Sequence, residues 1–308
     1  MNRVSTFGNY KLALAHMGDA QQRQIQAGQQ ISSQKIAQDL KGFSGKSETI
    51  ISMRALQNRL AGLLSQNTVL QDRFTTQDIA LNQLAESADG VRQAIADTLA
   101  SGRADTLMQE MRGFFSTASA ALNMKSQGRF IFGGGQIHTQ PVSATAMSDL
   151  TLAPVASYFH NDDFMVTNQV DETSVIEGGM LADALGTDLF DSFRDIQAFE
   201  EGGSGPFNGE ISAAQRAFLE GMIGEFEAHH QMLVNEQARN GSVVKRLENA
   251  KIDLTSRSDT LEGLIGKITD ADIPRAISNL EAAQFAVQAS AQVFNTLRQS
   301  SLLNYLKL

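Results

Sequence analysis

Two adjacent histidines and two nearby glutamates form one group of side chains in this sequence that could bind a metal ion. Glu225 and His229 are four residues apart, a spacing that puts both on one face of a helix, where metal ligands often lie. No further ligand completes a site, and such a pair without its context is a weak signal. We therefore expect Glu225, Glu227, His229 and His230 to lie on a solvated helix face.

Two motifs in the middle of the chain could also support chemistry. The three glycines at 133–135 could form a phosphate-binding loop, but the lysine of a P-loop is missing, so a turn that ends a long helix is favoured. The segment His160-Asn161-Asp162-Asp163 could bind calcium or supply an acid–base pair. It lacks the EF-hand spacing and closing glutamate, and a polar turn explains it better. With no nucleophile motif present, we predict no catalytic residue, metal site or cofactor, and no enzymatic activity.

Composition excludes several classes of function. The 308 residues suffice for two or more domains, and 34 acidic against 25 basic residues give a formal net charge of -9. Such a surface repels nucleic-acid phosphates and anionic lipids, so we predict no nucleic-acid partner. The chain has no cysteine, which excludes disulfides and thiolate chemistry. No segment approaches the ~20 apolar residues of a membrane helix. We therefore expect no membrane insertion, and residues 1–11 do not resemble a cleavable signal peptide.

Heptad spacing dominates the apolar pattern from residue 56 onward. One series of positions is Leu56, Leu63, Leu70, Gln77, Leu84 and Val91, and the other is Leu60, Asn67, Phe74, Leu81, Ala88 and Ile95. Ten of these twelve positions are apolar, which predicts a long helix packed against other helices, with Leu63, Leu70 and Leu84 buried. The polar members, Asn67 and Gln77, can fix the register of packing at some cost in stability.

Two further helical segments lie near the C-terminus. The first carries Val244, Leu247, Leu254, Leu261, Ile265 and Ile268 on one face, with Leu254 expected in the core. The second runs from Asp272 to about Leu303, with apolar residues every seven positions at Ile273, Leu280, Val287 and Phe294. Asp272 is suited to cap this helix, because an aspartate carboxylate can accept hydrogen bonds from the free N–H groups of a first turn. Pro274 is compatible with this start, since proline is tolerated in a first turn.

The middle of the chain has a different character. Glycine and proline interrupt short apolar segments, and Ser157–Phe159, Asn161–Asp163 and Phe164–Val166 predict a strand, a turn and a strand. We therefore predict a mainly α fold: an elongated antiparallel helical bundle or coiled-coil rod of paired N- and C-terminal arms, with a small α/β or β-rich insert. The expected parts are a terminal assembly region (1–45 with 266–308), a helical rod domain (46–135 with 207–265) and a mixed insert domain (136–206).

Several motifs resemble those of the bacterial flagellin family. Gln30–Ile36 resembles the N-terminal run of the family, with Gln34 in place of a usual glycine. Near the C-terminus, Arg246–Ala250 and Ile268–Ile273 resemble the hinge before the last helix of the family. Two more motifs favour the hook–filament junction members of the family: Gly128–Gly134 and the ending Ser301–Leu306. Within the insert, Gly186–Phe190 resembles the segment of the family that precedes the second arm. The resemblance covers about 1–135 and 207–308.

This resemblance implies a structural role in the flagellum rather than catalysis. It implies self-assembly in a ring, contacts with flagellin and with another hook-associated protein, and export by the flagellar type III apparatus to the extracellular flagellum without a cleaved signal peptide. It also implies an export chaperone that binds the C-terminal helix. Filament flagellin is the nearest alternative; an intracellular coiled-coil scaffold and a secreted enzyme with its chemistry in the insert are the others.

The terminal helices carry the predicted assembly interface. They have less chain around them than the rod segments, so pairing with each other leaves apolar surface in contact with water, which marks an interaction site. The residues that we assign to this interface are Leu12, Leu14, Met17, Ile25, Ile31, Ile277, Leu280, Val287, Phe294 and Leu297.

Overall fold

The fold is mainly α-helical, as predicted. A computed structural model describes the backbone of residues 3–43 and 45–306, and the side chains of residue 8 and of residues 11–43, 45–176 and 178–297. Its α-helices are α1 Arg3–Ser33, α2 Ser47–Ser101, α3 Leu107–Leu122, α4 Ala182–Glu201, α5 Ala213–Thr269 and α6 Ile273–Leu306. Antiparallel hairpins join β1 Lys125–Ser126 to β2 Arg129–Phe130, and β3 Thr167–Gln169 to β4 Val175–Glu177. Short 3-10 helices occupy Leu40–Phe43, Met147–Thr151 and Val155–Tyr158.

The chain divides into two compact units. The first, here called the terminal unit, holds Met1–Arg59 and Arg257–Leu308. The second, the central unit, holds Leu60–Ser256 and therefore includes the residues of the predicted insert. The division into assembly region, rod and separate insert stays a prediction.

The heptad positions of α2 form one side of the core of the central unit. Its buried members are Leu60, Asn67, Phe74, Leu81, Ala88, Ile95, Leu70, Gln77, Leu84 and Val91. Leu63 is only partly buried, and Leu56, in the terminal unit, is 42% exposed. Helix α5 shows the same period, with buried residues at Leu219, Phe226, Leu233, Asn240, Leu247 and Leu254. The spacing of seven therefore identified the buried face of α2, but not the point where burial begins.

Aromatic side chains fill the core between α3, α4 and α5. The ring of Phe193 lies 5.6 Å from that of Phe115 and 5.4 Å from that of Phe226, in edge-on arrangements that favour aromatic pairs. Gly186 allows α4 to lie close to the end of α3, because an added Cβ at this position would lie 2.6 Å from the side chain of Leu122. The motif Gly186–Phe190 is thus a helical segment whose glycine permits close packing and whose Phe190 enters the core.

The predicted strand–turn–strand at 157–166 is wrong. Val155–Tyr158 forms a 3-10 helix, and Phe159 pairs with Val142 in an isolated bridge rather than with the segment that follows it. The carboxylate of Asp162 accepts a hydrogen bond from the backbone N–H of Phe164 at 3.1 Å and so shapes a loop. The hairpin forms later in the chain, between β3 and β4, where Ile176 is buried with Leu70 and Phe74.

Gln77 is a buried polar residue in this core, and its replacement should stabilise the protein. Its side chain is fully buried, and neither amide atom finds a hydrogen-bond partner among the described residues. Because an unpaired buried polar group costs about 1–3 kcal/mol, Gln77→Leu should raise the free energy of unfolding by a similar amount. Urea unfolding followed by circular dichroism measures this change.

Asn67 provides the matched control for this experiment. Its side-chain amide donates a hydrogen bond to the carbonyl of Val170 at 2.9 Å. Asn67 Oδ1 has no described partner, but Asn67→Leu also leaves the carbonyl of Val170 without its donor. It should therefore destabilise the protein relative to Gln77→Leu. A loss of stability in Gln77→Leu as large as that in Asn67→Leu would show that the amide of Gln77 is stabilising after all.

Candidate assembly interface

Helices α1 and α6 pack against each other in the terminal unit through small residues. Among the described side chains of the two helices, the buried ones are those of Ala20 and Ala27 on α1 and Ala276 and Ala283 on α6, seven residues apart on each helix. Alanine side chains allow close approach but remove little apolar area from water, and the hydrophobic contribution scales with that area. Among the residues whose side chains are described, the pair therefore leaves the large apolar ones exposed or only partly buried.

The ten residues predicted for the interface fall into two groups. Four are exposed: Leu12 (57%), Leu14 (39%), Ile25 (61%) and Ile277 (43%). The other six are partly buried, and they are Met17, Ile31, Leu280, Val287, Phe294 and Leu297. The partly buried residues of α6 lie at heptad positions around Ala276 and Ala283, so they belong in part to the pair itself. The exposed group leaves apolar side chains in contact with water, as an interaction site requires.

Sequence reasoning missed other exposed apolar residues of the terminal unit. Phe285 is 74% exposed and Val293 is 54% exposed, both on α6, and Ile51 on α2 is 53% exposed. Isolated exposed apolar residues are normal, but Phe285 and Val293 lie on α6, the helix that also exposes Ile277. These residues could have been found from the sequence, as large apolar residues that lie outside the heptad positions of their helices. The side chains of the ending Ser301–Leu306 lie outside the described residues.

A groove on the same unit continues this surface. It has a volume of about 450 Å³ and is lined by Gln21, Gln24, Ile25, Gly28 and Leu280. The lining joins exposed Ile25 of α1 to partly buried Leu280 of α6. A partner side chain that entered this groove would contact both helices at once.

Two backbone hydrogen bonds, together called the backbone tie, join the segments Gln30–Ile36 and Ile268–Ile273, which both resemble flagellin. The N–H of Ile36 donates to the carbonyl of Thr269 at 2.8 Å, and the N–H of Ala271 donates to the carbonyl of Gln34 at 2.9 Å. The Lys35 ammonium lies 2.5 Å from the Asp270 carboxylate. The turn after α1 is thereby fixed to the turn between α5 and α6. The side chain of Asp272 caps α6, as predicted, by accepting a hydrogen bond from the N–H of Arg275.

This tie should weaken in acid. Hydrogen bonds from the side chains of Lys35 and Thr269 hold the pKa of Asp270 below its usual value. A lowered pKa in the folded state means that the stabilisation is present above the unfolded pKa of about 3.9 and is lost as the pH falls through the folded value. We expect exchange of the Ile36 and Ala271 amides, corrected for intrinsic rates, to accelerate below about pH 4. Asp270→Asn should remove most of this pH dependence, and an unchanged profile would contradict the assignment.

Gln34 adopts a backbone conformation that favours glycine. Its φ of 56° lies in the left-handed region, directly after the last residue of α1, where glycine commonly ends helices. A non-glycine residue there costs about 1–2 kcal/mol. Gln34→Gly should therefore stabilise the tie by about 1 kcal/mol and slow exchange of the Ile36 and Ala271 amides about fivefold. Gln29→Gly, inside α1, is the control and should accelerate exchange, because glycine weakens helix interiors. Faster exchange in Gln34→Gly would contradict the prediction.

The histidine pair does not lie on a solvated face, contrary to expectation. His229 and His230 are partly buried, and only Glu225 and Glu227 are exposed. His229 Nε2 lies 2.8 Å from the hydroxyl of Ser192 on α4, and burial lowers the pKa of His229. His230 Nδ1 lies 3.1 Å from the carbonyl of Ala85. Among the side chains that the structure describes, no three histidine, aspartate or glutamate residues form a metal site.

The contact between Ser192 and His229 does not have the geometry of an activated nucleophile. The Ser192 hydroxyl also lies 3.1 Å from a carboxylate oxygen of Glu225, which can only accept a hydrogen bond when ionised. The backbone carbonyl of Asp188 lies 3.3 Å away as a second acceptor. The single hydroxyl proton therefore has competing acceptors besides His229, whose Nε2 can donate to the serine oxygen. In a catalytic triad the histidine instead accepts the serine proton. Ser192 is also only 4% exposed. We interpret the contacts of Ser192 with Glu225 and His229 as packing between α4 and α5.

The glycines at 133–135 form a loop locked by Asp162, and they do not end a long helix as predicted. Helix α3 ends at Leu122, and the β1–β2 hairpin intervenes. The N–H of Gly135 donates to the Asp162 carboxylate at 2.7 Å, and an added Cβ on Gly134 would lie 2.3 Å from that carboxylate. The carboxylate fills the space in which a phosphate would have to bind.

Comparison with known proteins agrees with this arrangement. The family model described as the bacterial flagellin C-terminal helical region matches residues 223–306, which cover most of α5 and α6. Over these residues the chain is similar to flagellin. No curated protein sequence matches it. The flagellin-like region includes the tie at Thr269–Ala271 and all of the interface residues that we assigned to α6.

Two solved structures share the fold. A protein of Vibrio parahaemolyticus, described as a flagellar hook-associated protein, superposes with a TM-score of 0.59 at 12% identity, covering 73% of this chain and 97% of the other. FlgL of Bacillus cereus superposes with a TM-score of 0.55 at 15% identity, covering 71% of this chain and 99% of the other. At these identities the similarity establishes a common fold. None of the described helices has an apolar stretch long enough to cross a membrane.

Proposed function

We propose that this flagellin-like chain is a structural subunit of the bacterial flagellum and acts as an adaptor between the hook and the filament. The observation that carries the proposal is the α1–α6 pair, which buries alanines and leaves Leu12, Ile25, Ile277 and Phe285 exposed. Covering these side chains on assembly would supply about 25 cal/mol for each Å² of apolar surface removed from water. The free energy for assembly would thus come from subunit packing, with no cofactor and no catalytic step.

The adaptor role implies several partners. The exposed surface of the terminal unit would contact neighbouring copies in a ring, another hook-associated protein on one side and flagellin on the other. Before assembly, an export chaperone would cover α6, because an exposed apolar helix is prone to premature association. We propose export through the flagellar type III apparatus to the outside of the cell, without cleavage of a signal peptide.

A deletion strain tests the adaptor role. Cells without this chain should carry hooks that lack filaments and should shed flagellin into the medium, because the filament would have no surface on which to grow. Expression of the chain from a plasmid should restore the filaments. Normal filaments on the deletion strain would overturn the proposal, and loss of the hooks as well would place the chain earlier in assembly.

Filament flagellin is the second candidate, supported by the match of residues 223–306 to the flagellin C-terminal region. The two functions differ in the number of copies, since a junction ring is short and a filament grows indefinitely. Quantitative mass spectrometry of sheared flagella distinguishes them. A chain that forms the bulk of the filament is a flagellin, whereas a constant small amount, independent of filament length, identifies the adaptor.

A further inference from the structure

The sequence contains two Asn-Gly pairs, and the structure places them in opposite environments. Asn208-Gly209 lies in the loop between α4 and α5, and Asn208 is exposed. Asn240-Gly241 lies inside α5, where Asn240 is only 1% exposed. This dipeptide is prone to deamidation, because glycine has no side chain to hinder attack of its backbone nitrogen on the preceding asparagine. The chain therefore offers a candidate modification site and an internal comparison for it.

The reaction at an Asn-Gly pair needs only water as a co-reactant. The backbone nitrogen of the glycine attacks the side-chain carbonyl carbon of the asparagine, and a new C–N bond closes a succinimide ring. The side-chain amide leaves as ammonia and takes the proton that the backbone nitrogen has lost. Water then opens the ring at one of its two carbonyl groups, which gives aspartate or isoaspartate. No group is oxidised or reduced, and the residue gains a negative charge.

The attacking nitrogen of the exposed pair is held by a carboxylate. The N–H of Gly209 donates to Asp105 Oδ1 at 3.1 Å, and the carbonyl of Gly209 accepts from the N–H of Ala104 at 2.9 Å. The N–H of Ile211 donates to the carbonyl of Gly102 at 3.0 Å, so the loop is fixed to the turn between α2 and α3. An N–H that is donated to an anion gives up its proton less readily. A fixed backbone also hinders the rotation that ring closure requires.

Asp105 remains ionised under the conditions in which deamidation is fast. Arg103 Nε lies 2.8 Å from its carboxylate, and this hydrogen bond is the main cause of a lowered pKa of Asp105. Succinimide formation accelerates in neutral and alkaline solution, because the attacking nitrogen must lose its proton. The hydrogen bond from Gly209 is therefore not lost through protonation of its acceptor in that range.

The buried pair meets neither requirement of the reaction. The side-chain amide of Asn240 donates to the carbonyl of Phe74 at 3.0 Å, which fixes its position in the core. The helical backbone directs the N–H of Gly241 along the helix axis, away from the side chain of Asn240. Ring closure at this pair requires α5 to open. Deamidation of Asn240 therefore reports a loss of structure.

We propose that Asn208 is a site of spontaneous deamidation, and that the carboxylate of Asp105 slows the reaction by holding the backbone N–H of Gly209. The product places a further negative charge between Asp105 and the neighbouring Glu210, and like charges repel. The modification should therefore loosen the contact of this loop with the turn between α2 and α3. The site is a property of the single chain and is independent of the role in assembly proposed above.

Incubation of the purified chain in warm, mildly alkaline buffer tests the site. Peptide mass spectrometry with an isoaspartate assay should show aspartate and isoaspartate accumulating at position 208, while Asn240 stays intact. Asn208→Gln should remove almost all of the product, because glutamine must close a larger ring that forms less readily. An unmodified Asn208, or equal rates at Asn208 and Asn240, overturns the proposed site.

Replacement of Asp105 tests its protective role. Asp105→Ala should accelerate deamidation of Asn208 about two- to fivefold, the factor expected from loss of a weak hydrogen bond. Asp105→Asn keeps an acceptor oxygen and should give a smaller increase. Asp163→Ala, at an exposed aspartate of the same unit, is the control and should leave the rate unchanged. An unchanged rate in Asp105→Ala overturns the role of Asp105, and so does an equal acceleration at Asn240, which would show unfolding instead.

Discussion

Replacing Phe193 with alanine should lower the free energy of unfolding by about 3–5 kcal/mol, the typical cost of truncating a buried phenylalanine. Phe193 is fully buried, and its ring contacts those of Phe115, Phe190 and Phe226. Truncation would leave a cavity bounded by three α-helices, which cannot collapse without moving their backbones. Urea unfolding followed by circular dichroism measures the loss.

Phe164→Ala is the matched control for this prediction. The same side chain is removed, but Phe164 is 62% exposed and lies in a loop of the same unit. Its truncation should change the free energy of unfolding by less than about 0.5 kcal/mol, as is usual for surface substitutions. Equal losses in the two variants would mean that the aromatic cluster does not form the core of the central unit.

Phe285→Asp should abolish filament growth without unfolding the chain. Phe285 is 74% exposed on α6, so aspartate at this position meets water in the free subunit. On assembly the charge would be transferred into a dry interface, at a cost of several kcal/mol unless it is paired. Electron microscopy of flagella and swimming in soft agar measure the effect. Phe294 is less suitable as a test, because it is partly buried and a charge there would also affect the α1–α6 pair.

Two controls separate assembly from export in this experiment. Gln284→Asp introduces the same charge at the neighbouring exposed position of α6 and should leave filaments intact. The amount of the Phe285→Asp chain in the medium must match that of the wild type, because a chaperone that binds α6 could also lose affinity. If this variant is secreted normally and builds normal filaments, Phe285 lies outside the assembly interface.

The seven-residue spacing of apolar residues was the observation from which most of the helical fold could be predicted. A helix turns once every 3.6 residues, so apolar side chains seven apart share a face, and the series from Leu60 to Ile95 is buried throughout. The N-cap at Asp272 was also readable, since capping depends on a side chain and a backbone N–H close by in sequence. The mainly α fold and the flagellin-like C-terminal region are both confirmed by the comparisons.

The middle of the chain was predicted less well, because its contacts are not local. Residues near Phe159 could pair with any extended segment, and Phe159 pairs with Val142. Asp162 closes a loop by accepting a hydrogen bond from the N–H of Gly135. The burial of His229 depends on α4, which precedes it by about forty positions in the chain. No spacing rule reports such an approach of distant segments.

The sequence by itself determined which residues could face a core, because the helical period depends only on local backbone geometry. Only the tertiary structure decided which of these faces are covered. In the terminal unit the buried contact is made by Ala20, Ala27, Ala276 and Ala283, while Ile25 and Phe285 remain exposed. The reason is physical: small side chains let two helices approach closely, and the larger ones are then only partly covered or point away from the contact.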